Sequence, residues 1–250
     1  MVAFMAMLTA LSFAVSSCEK ENVDTNNANN TEQQTTDSIP TPNPGPDTTH
    51  PGPQPVAMNW VDLGLPSGLL WAECNLGADA PEDHGDYYAW GETSTKTLYS
   101  WSTYQYCTVD SNGFLASLTK YDSVDMLTLL QSSDDAATAT LGSQSHTPTK
   151  ADWEELMGST SVEWTTRNGV RGREFTAVNG NSIFLPAAGY RQDERLVDDV
   201  SYGNYASSTL VADQPRYAYI FHFYSVNQAM YDNYDRCIGL SVRAVRTPQN

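Results

Sequence analysis

Positive charge is scarce in this 250-residue chain: 13 Lys and Arg stand against 30 Asp and Glu, for a formal net charge of −17. The basic residues are scattered singly. Nucleic acid and anionic membrane faces are held mainly by Lys and Arg neutralising phosphates, so the charge argues against either as ligand, and no nucleic-acid partner is expected. Histidine is equally sparse: His50, His84, His146 and His222 lie far apart, without the paired spacing that zinc sites use, and no metal or other cofactor is expected. The sequence has no G-x-S-x-G elbow, no Walker loop and no G-x-G-x-x-G turn. Their absence removes the commonest signatures of acyl transfer, nucleotide hydrolysis and dinucleotide binding. No apolar run reaches the roughly 20 residues that a membrane-spanning helix needs. Carboxylates, by contrast, are plentiful, at Glu82-Asp83, Asp134-Asp135, Asp152 with Glu154-Glu155, and Asp198-Asp199. The Asp152 group falls in the first turn of an expected helix, where acids favour the dipole, and the others read as solvated loop charge. No catalytic residue is assigned, and the chain is read as a non-enzyme.

What is present divides the chain into segments. Residues 1–17 carry no charge and end in Val15-Ser16-Ser17-Cys18. This resembles the lipobox of bacterial lipoproteins, in which the Cys receives the lipid and becomes the new N-terminus, so Cys18 is the expected lipidation site. Such signals begin with Lys or Arg, and none precedes Cys18. Residues 18–58 contain seven of the thirteen prolines and, from Glu19 to Val56, no aromatic residue. That composition predicts a disordered Pro/Thr/Asn-rich tether. Charged residues directly after a lipidated Cys also resemble the signal that exports Bacteroidetes lipoproteins, which implies a lipid-anchored protein exposed at the outer membrane surface.

Residues 59–247 hold all six Trp and all fourteen Tyr and form the expected folded domain, with 248–250 as a tail. Short segments rich in aromatic and β-branched residues predict strands at Val61–Leu63, Leu69–Trp71, Tyr87–Trp90, Ser182–Leu185, Tyr217–Tyr224 and Ser241–Arg246. Two stretches read as helix. Asp122 to Gln131 carries Val124, Leu127 and Leu130 at helical spacing, and a second helix follows Pro148, with Thr149 and Asp152 as caps and Trp153, Leu156 and Met157 on one face. The class is α+β, strand-rich, with long irregular loops.

Several stretches resemble the signatures of the Fibrobacter succinogenes major paralogous domain. They are Val61-Asp62-Leu63-Gly64-Leu65-Pro66-Ser67-Gly68-Leu69-Leu70-Trp71-Ala72, Gly85-Asp86-Tyr87-Tyr88-Ala89-Trp90-Gly91-Glu92, Pro148 to Leu156, Phe184 to Arg191 and Gly239 to Arg246. The resemblance implies a C-type lectin-like fold, related to formylglycine-generating enzymes, with Val61–Leu63 beside Val242–Arg246. Where the family carries Trp, this chain has Ser145-His146-Thr147 and Tyr205-Ala206-Ser207-Ser208, which implies a looser or rearranged centre. The cysteine pair of the formylglycine enzymes has no matching motif around Cys74, Cys107 or Cys237; outside the cell, two of these three could pair. The calcium-ligand motif of sugar-binding members is replaced by Gln214-Pro215-Arg216, where Arg stands in place of an oxygen ligand.

From Tyr202 to Tyr234 there are seven tyrosines in 33 residues. Tyrosine offers large rigid contact area with a polar tip, which is why binding loops use it. Alternation assigns Tyr219, Phe221 and Phe223 to the core. Tyr217, His222, Tyr224, Asn227, Tyr231, Asp232, Tyr234 and Asp235 are assigned to an exposed ligand-binding surface. The expected ligand is a protein or glycan outside the cell, and the expected role is that of an adhesin-like binding module, with a fibre subunit or tip, or a carbohydrate-active enzyme, as alternatives. The resemblance also extends to variable proteins of diversity-generating retroelements. By that likeness Ile220, Val226, Ala229, Asn233, Cys237 and Ile238 join the exposed set as candidate variable positions, while Gln228 and Met230 are fixed.

Overall fold

The computed structural model describes residues 58 to 248. The signal segment, Cys18 and the tether up to Ala57 lie outside the described residues. In chain order the strands are β1 (Trp60–Asp62), β2 (Leu70–Ala72), β3 (Tyr87–Tyr88), β4 (Cys107–Val109) and β5 (Leu115–Leu118), followed by helix α1 (Ala136–Leu141), β6 (Ser145–His146) and helix α2 (Lys150–Ser159). Then come β7 (Thr160–Arg167), β8 (Val170–Ala177), β9 (Ser182–Pro186), β10 (Tyr190–Gln192), β11 (Arg195–Val197), β12 (Gly203–Leu210), β13 (Tyr217–Phe223), β14 (Gln228–Asp235), β15 (Leu240–Ser241) and β16 (Val245–Arg246). The fold is α+β and strand-rich.

A five-stranded sheet in the order β14-β13-β12-β15-β3 forms the centre, beside a four-stranded sheet, β1-β2-β16-β6, and a three-stranded one, β7-β8-β9. The expected strand Ser241–Arg246 is therefore two strands, in two different sheets. The reason is Arg243 between them. Its buried guanidinium donates to the carbonyls of Ala72, Glu73 and Phe184 and to Asn75 Oδ1, and so turns the chain from one sheet into the other. The domain's two ends share one sheet, as expected, but β2 lies between β1 and β16.

Helix α2 forms as its sequence predicts. The Thr149 hydroxyl accepts from the Asp152 N–H while the Asp152 carboxylate accepts from the Thr149 N–H, a reciprocal cap worth about 1 kcal/mol. Its buried Trp153 and Leu156 face one side of the central sheet. Trp153 stacks on Phe221 with ring centroids 4.7 Å apart, meets Trp71 at 4.9 Å, and donates its indole N–H to Ala206 O at 3.1 Å. Tyr205, Phe175 and Phe223 complete this layer. At the centre, where the family's two tryptophans are missing, the rings of Trp71, Trp153, Tyr205, Phe221 and Phe223 pack on one another. Close packing reaches the backbone at Gly203 in β12, where an added Cβ would stand 2.1 Å from the Phe223 ring.

The other expected helix, Asp122 to Gln131, is a correction. The segment is turn and extended chain, with Val124 87% and Met126 75% exposed. Its own carboxylates take the amides a helix would use. Asp122 accepts from Val124 and Asp125, and Asp125 accepts from Tyr121, Asp122 and Leu127. Leu127 and Leu130 still pack inward, and Leu129 bridges to Thr209 of β12. Helix α1, which carries no apolar stripe, forms instead because Asp135 caps it, accepting from Ala137 and Thr138.

Asp134 and Asp135 are not solvated loop charge either; they are 5% and 3% exposed. Asp135 also accepts from the N–H and hydroxyl of Thr147 and so ties α1 to the start of α2. Asp134 holds Lys120, Tyr121 and Ser133. Burial raises its pKa, but those hydrogen bonds outweigh it and the carboxyl is held below its ordinary value.

Candidate ligand-binding face

The second side of the central sheet carries the tyrosine-rich segment. Antiparallel pairing sets His222 opposite Asn204 of β12 and Ala229 of β14, and Ile220 opposite Tyr231. A register shift between Ala218 and Ile220 fits three residues of β14 against two of β13, so Tyr231 and Tyr234 both lean on the same core cluster. The result is a row of rings. His222 stacks on Tyr231 at 4.5 Å and on Tyr202 at 5.5 Å, and Tyr202 meets Tyr224 at 5.7 Å. Farther along, Tyr234 meets Tyr190 of β10 edge to face at 5.9 Å.

His222 is not exposed as expected; it is 7% exposed, closed in by the tyrosines on either side. Its Nδ1 donates to Asn204 Oδ1 at 2.8 Å, and burial pushes its pKa down, with Asp198 acting weakly the other way. Tyr217, Tyr224, Tyr231 and Tyr234 are half-buried rather than open, because the β10–β11 hairpin, through Tyr190 and Leu196, covers part of the face. Burial pushes the Tyr234 phenol up to about 12. Asn227 and Asp232 are exposed, at the tip and on the outer strand of the β13–β14 hairpin. Of the candidate variable positions, Ile220, Cys237 and Ile238 are buried, which removes them from an exposed set. Phe221 and Phe223 are core as expected, whereas Tyr219 stays at the rim, with the Lys150 ammonium 4.5 Å from its ring centre.

Tyr217, Tyr234 and Asp235 converge elsewhere on the face. With Tyr190, Gln192, Arg216, Asn233 and Ile238 they line a depression of about 340 Å³. Arg216 and Asp235 form a two-pronged ion pair there, at 2.5 and 2.8 Å. The pairing raises the Arg216 pKa. The guanidinium lies 5.5 Å from the Tyr217 ring centre and 5.7 Å from that of Trp101.

Sequence reasoning missed several members of this face. Tyr190 and Tyr202 were available from composition, but their nearness to Tyr234 and His222 comes from the β10–β11 hairpin and the β12 pairing. Arg173 of β8 gave no signal at all. Its buried guanidinium donates twice to Tyr224 O, at 3.0 and 2.8 Å, and once to Gln228 Oε1 at 2.8 Å, clasping the turn that carries Asn227.

The three cysteines of the domain, Cys74, Cys107 and Cys237, are each free, and burial raises the pKa of every one. Among the described residues no group of three or more His, Cys, Asp or Glu is placed to hold a metal ion, and no helix is long and apolar enough to cross a membrane. Compared with known proteins, the chain finds no match: no family model, no curated protein and no solved structure.

Proposed function

We propose that this chain is a lipid-anchored outer-membrane surface protein whose folded domain, of C-type lectin-like type, is an adhesin-like binding module. The observation that carries the reading is the row of half-exposed rings Tyr224, Tyr202 and Tyr231, stacked around the buried His222, with the Tyr190–Tyr234 corner beside it. Tyr190, Tyr231 and Tyr234 pack against the core cluster on this side of the sheet, yet these rings, with Tyr202 and Tyr224, keep part of their surface open. Partly exposed tyrosines gathered in one place are the composition of interfaces. A binding role is preferred to catalysis because Asp134, Asp135 and Asp152 are committed to structure: Asp134 to Lys120 and Tyr121, Asp135 to backbone amides, Asp152 to its helix cap.

The binding half is tested by immobilising the full chain and passing a mucin-type glycoprotein and its deglycosylated polypeptide over it. At least one is expected to bind, and Tyr224→Ala with Tyr231→Ala is expected to abolish the signal while leaving circular dichroism unchanged. Binding that ignores both substitutions overturns the reading. The anchoring half is tested by Cys18→Ala and cell fractionation. The variant is expected to leave the membrane fraction; retention there with the signal processed as before refutes lipidation.

A further inference from the structure

Resting on that binding-face reading, we infer that the depression beside Tyr217 and Tyr234 receives one residue of a neutral carbohydrate, without a metal ion. Three features of its lining select the ligand. The first is shape and polarity. Tyr190 and Tyr234 meet at 89°, giving a rigid aromatic corner, and Tyr217 also lines the space. The open lining is mainly polar, which suits a hydroxyl-covered ring, and a space of about 340 Å³ lies at the small end of ligand sites.

The second feature is the kind of polar group present. Gln192 and Asn233 reach the same space, and each side-chain amide both donates and accepts. A sugar hydroxyl also does both, so the two match in either orientation. A purely apolar ligand would cover these amides without offering them partners.

The third feature is the state of the charges. Arg216 and Asp235 are the ionised groups of the lining, and their fork uses the charge of each on the other. A charged ligand group would have to break that fork. The chain's net charge of −17 further disfavours acidic sugars. The remaining chemistry is that of an uncharged polyol.

The test uses the full chain with EDTA present throughout and saturation-transfer NMR. The probes are the methyl glycosides of glucose, galactose, mannose and fucose, with N-acetylneuraminic acid and a lysine-rich peptide for contrast. At least one neutral glycoside is expected to bind, and Tyr217→Ala and Asn233→Ala should each weaken it about tenfold, or about 1.4 kcal/mol. Tyr217→Phe, which keeps the ring, should retain most of the affinity and guards against a folding defect. A glycoside that ignores both Tyr217→Ala and Asn233→Ala overturns the proposal. So does failure of all four glycosides. If they fail while the peptide or the deglycosylated polypeptide binds and is lost on Tyr224→Ala, the binding face stands and the carbohydrate is wrong. If every probe and both mucin forms fail, the two readings fall together.

Discussion

Replacing Arg173 with Met tests whether its guanidinium holds the Tyr224–Gln228 turn in place. The substitution keeps the length and the apolar stem, which can still cover the core, but removes all five donors. Tyr224 O loses two charge-assisted bonds and Gln228 Oε1 loses one. An acceptor stranded in a buried place costs about 1–3 kcal/mol, and relief from burying a cation offsets part of that. A net loss of about 2 kcal/mol is expected, which for a domain of this size lowers Tm by roughly 4–8 °C. The effect should be local as well as global. The turn closed by the Tyr224 N–H to Asn227 O bond of 2.9 Å should exchange its amides faster, while amides at Phe175 and Ile183 in the β8–β9 pairing slow or quicken only with global stability. Arg173→Lys keeps the charge but not the fork and should fall between. Thermal unfolding with hydrogen exchange decides the matter. A Tm within about 1 °C of the parent with unchanged turn exchange would show that the clasp positions nothing.

Further outcomes follow from the core and its charges. Gly203→Ala forces a Cβ to within 2.1 Å of the Phe223 ring, and since both lie inside the packed sheet the strain should cost about 1–3 kcal/mol, read as a lower urea midpoint. Asp135→Ala removes the α1 cap and leaves the Thr147 N–H and hydroxyl unpaired; a loss of about 3 kcal/mol is expected from the same measurement, and a change under about 0.5 kcal/mol would contradict its role as a hub. Stability should also depend on pH through His222 and His84, whose folded pKa values burial holds below 6.5. Below pH 6.5 the unfolded chain then binds more protons than the folded one, so this contribution is complete above about 6.5 and declines as the pH falls toward 5. His222→Gln should flatten the decline of the urea midpoint, leaving the part due to His84; an unchanged slope would refute the assignment.

What the sequence made legible, and what it hid, follows from the range of the interactions involved. Helix α2 was readable because its signals are local: a cap, its reciprocal partner three residues on, and an apolar stripe all fall within ten residues. The segment Asp122–Gln131 carries an equally good stripe but fails because Asp122 and Asp125 take the backbone amides, a competition that periodicity does not register. Strand β13 was legible from its composition, and its alternation correctly placed Phe221 and Phe223 inside. The exposure of its other side was not legible, since the cover comes from β10 and β11, some twenty to thirty residues earlier in the chain. His222 shows the consequence. Its strand parity matches that of an outward residue, yet Tyr202 and Tyr231 close over it from two different connections. The same long-range pairing gathers Tyr190, Tyr217 and Tyr234 around one depression although no spacing in the sequence relates them. A tyrosine-rich segment therefore shows which strands carry the ring row, whereas the depression beside it is made by residues the topology brings together.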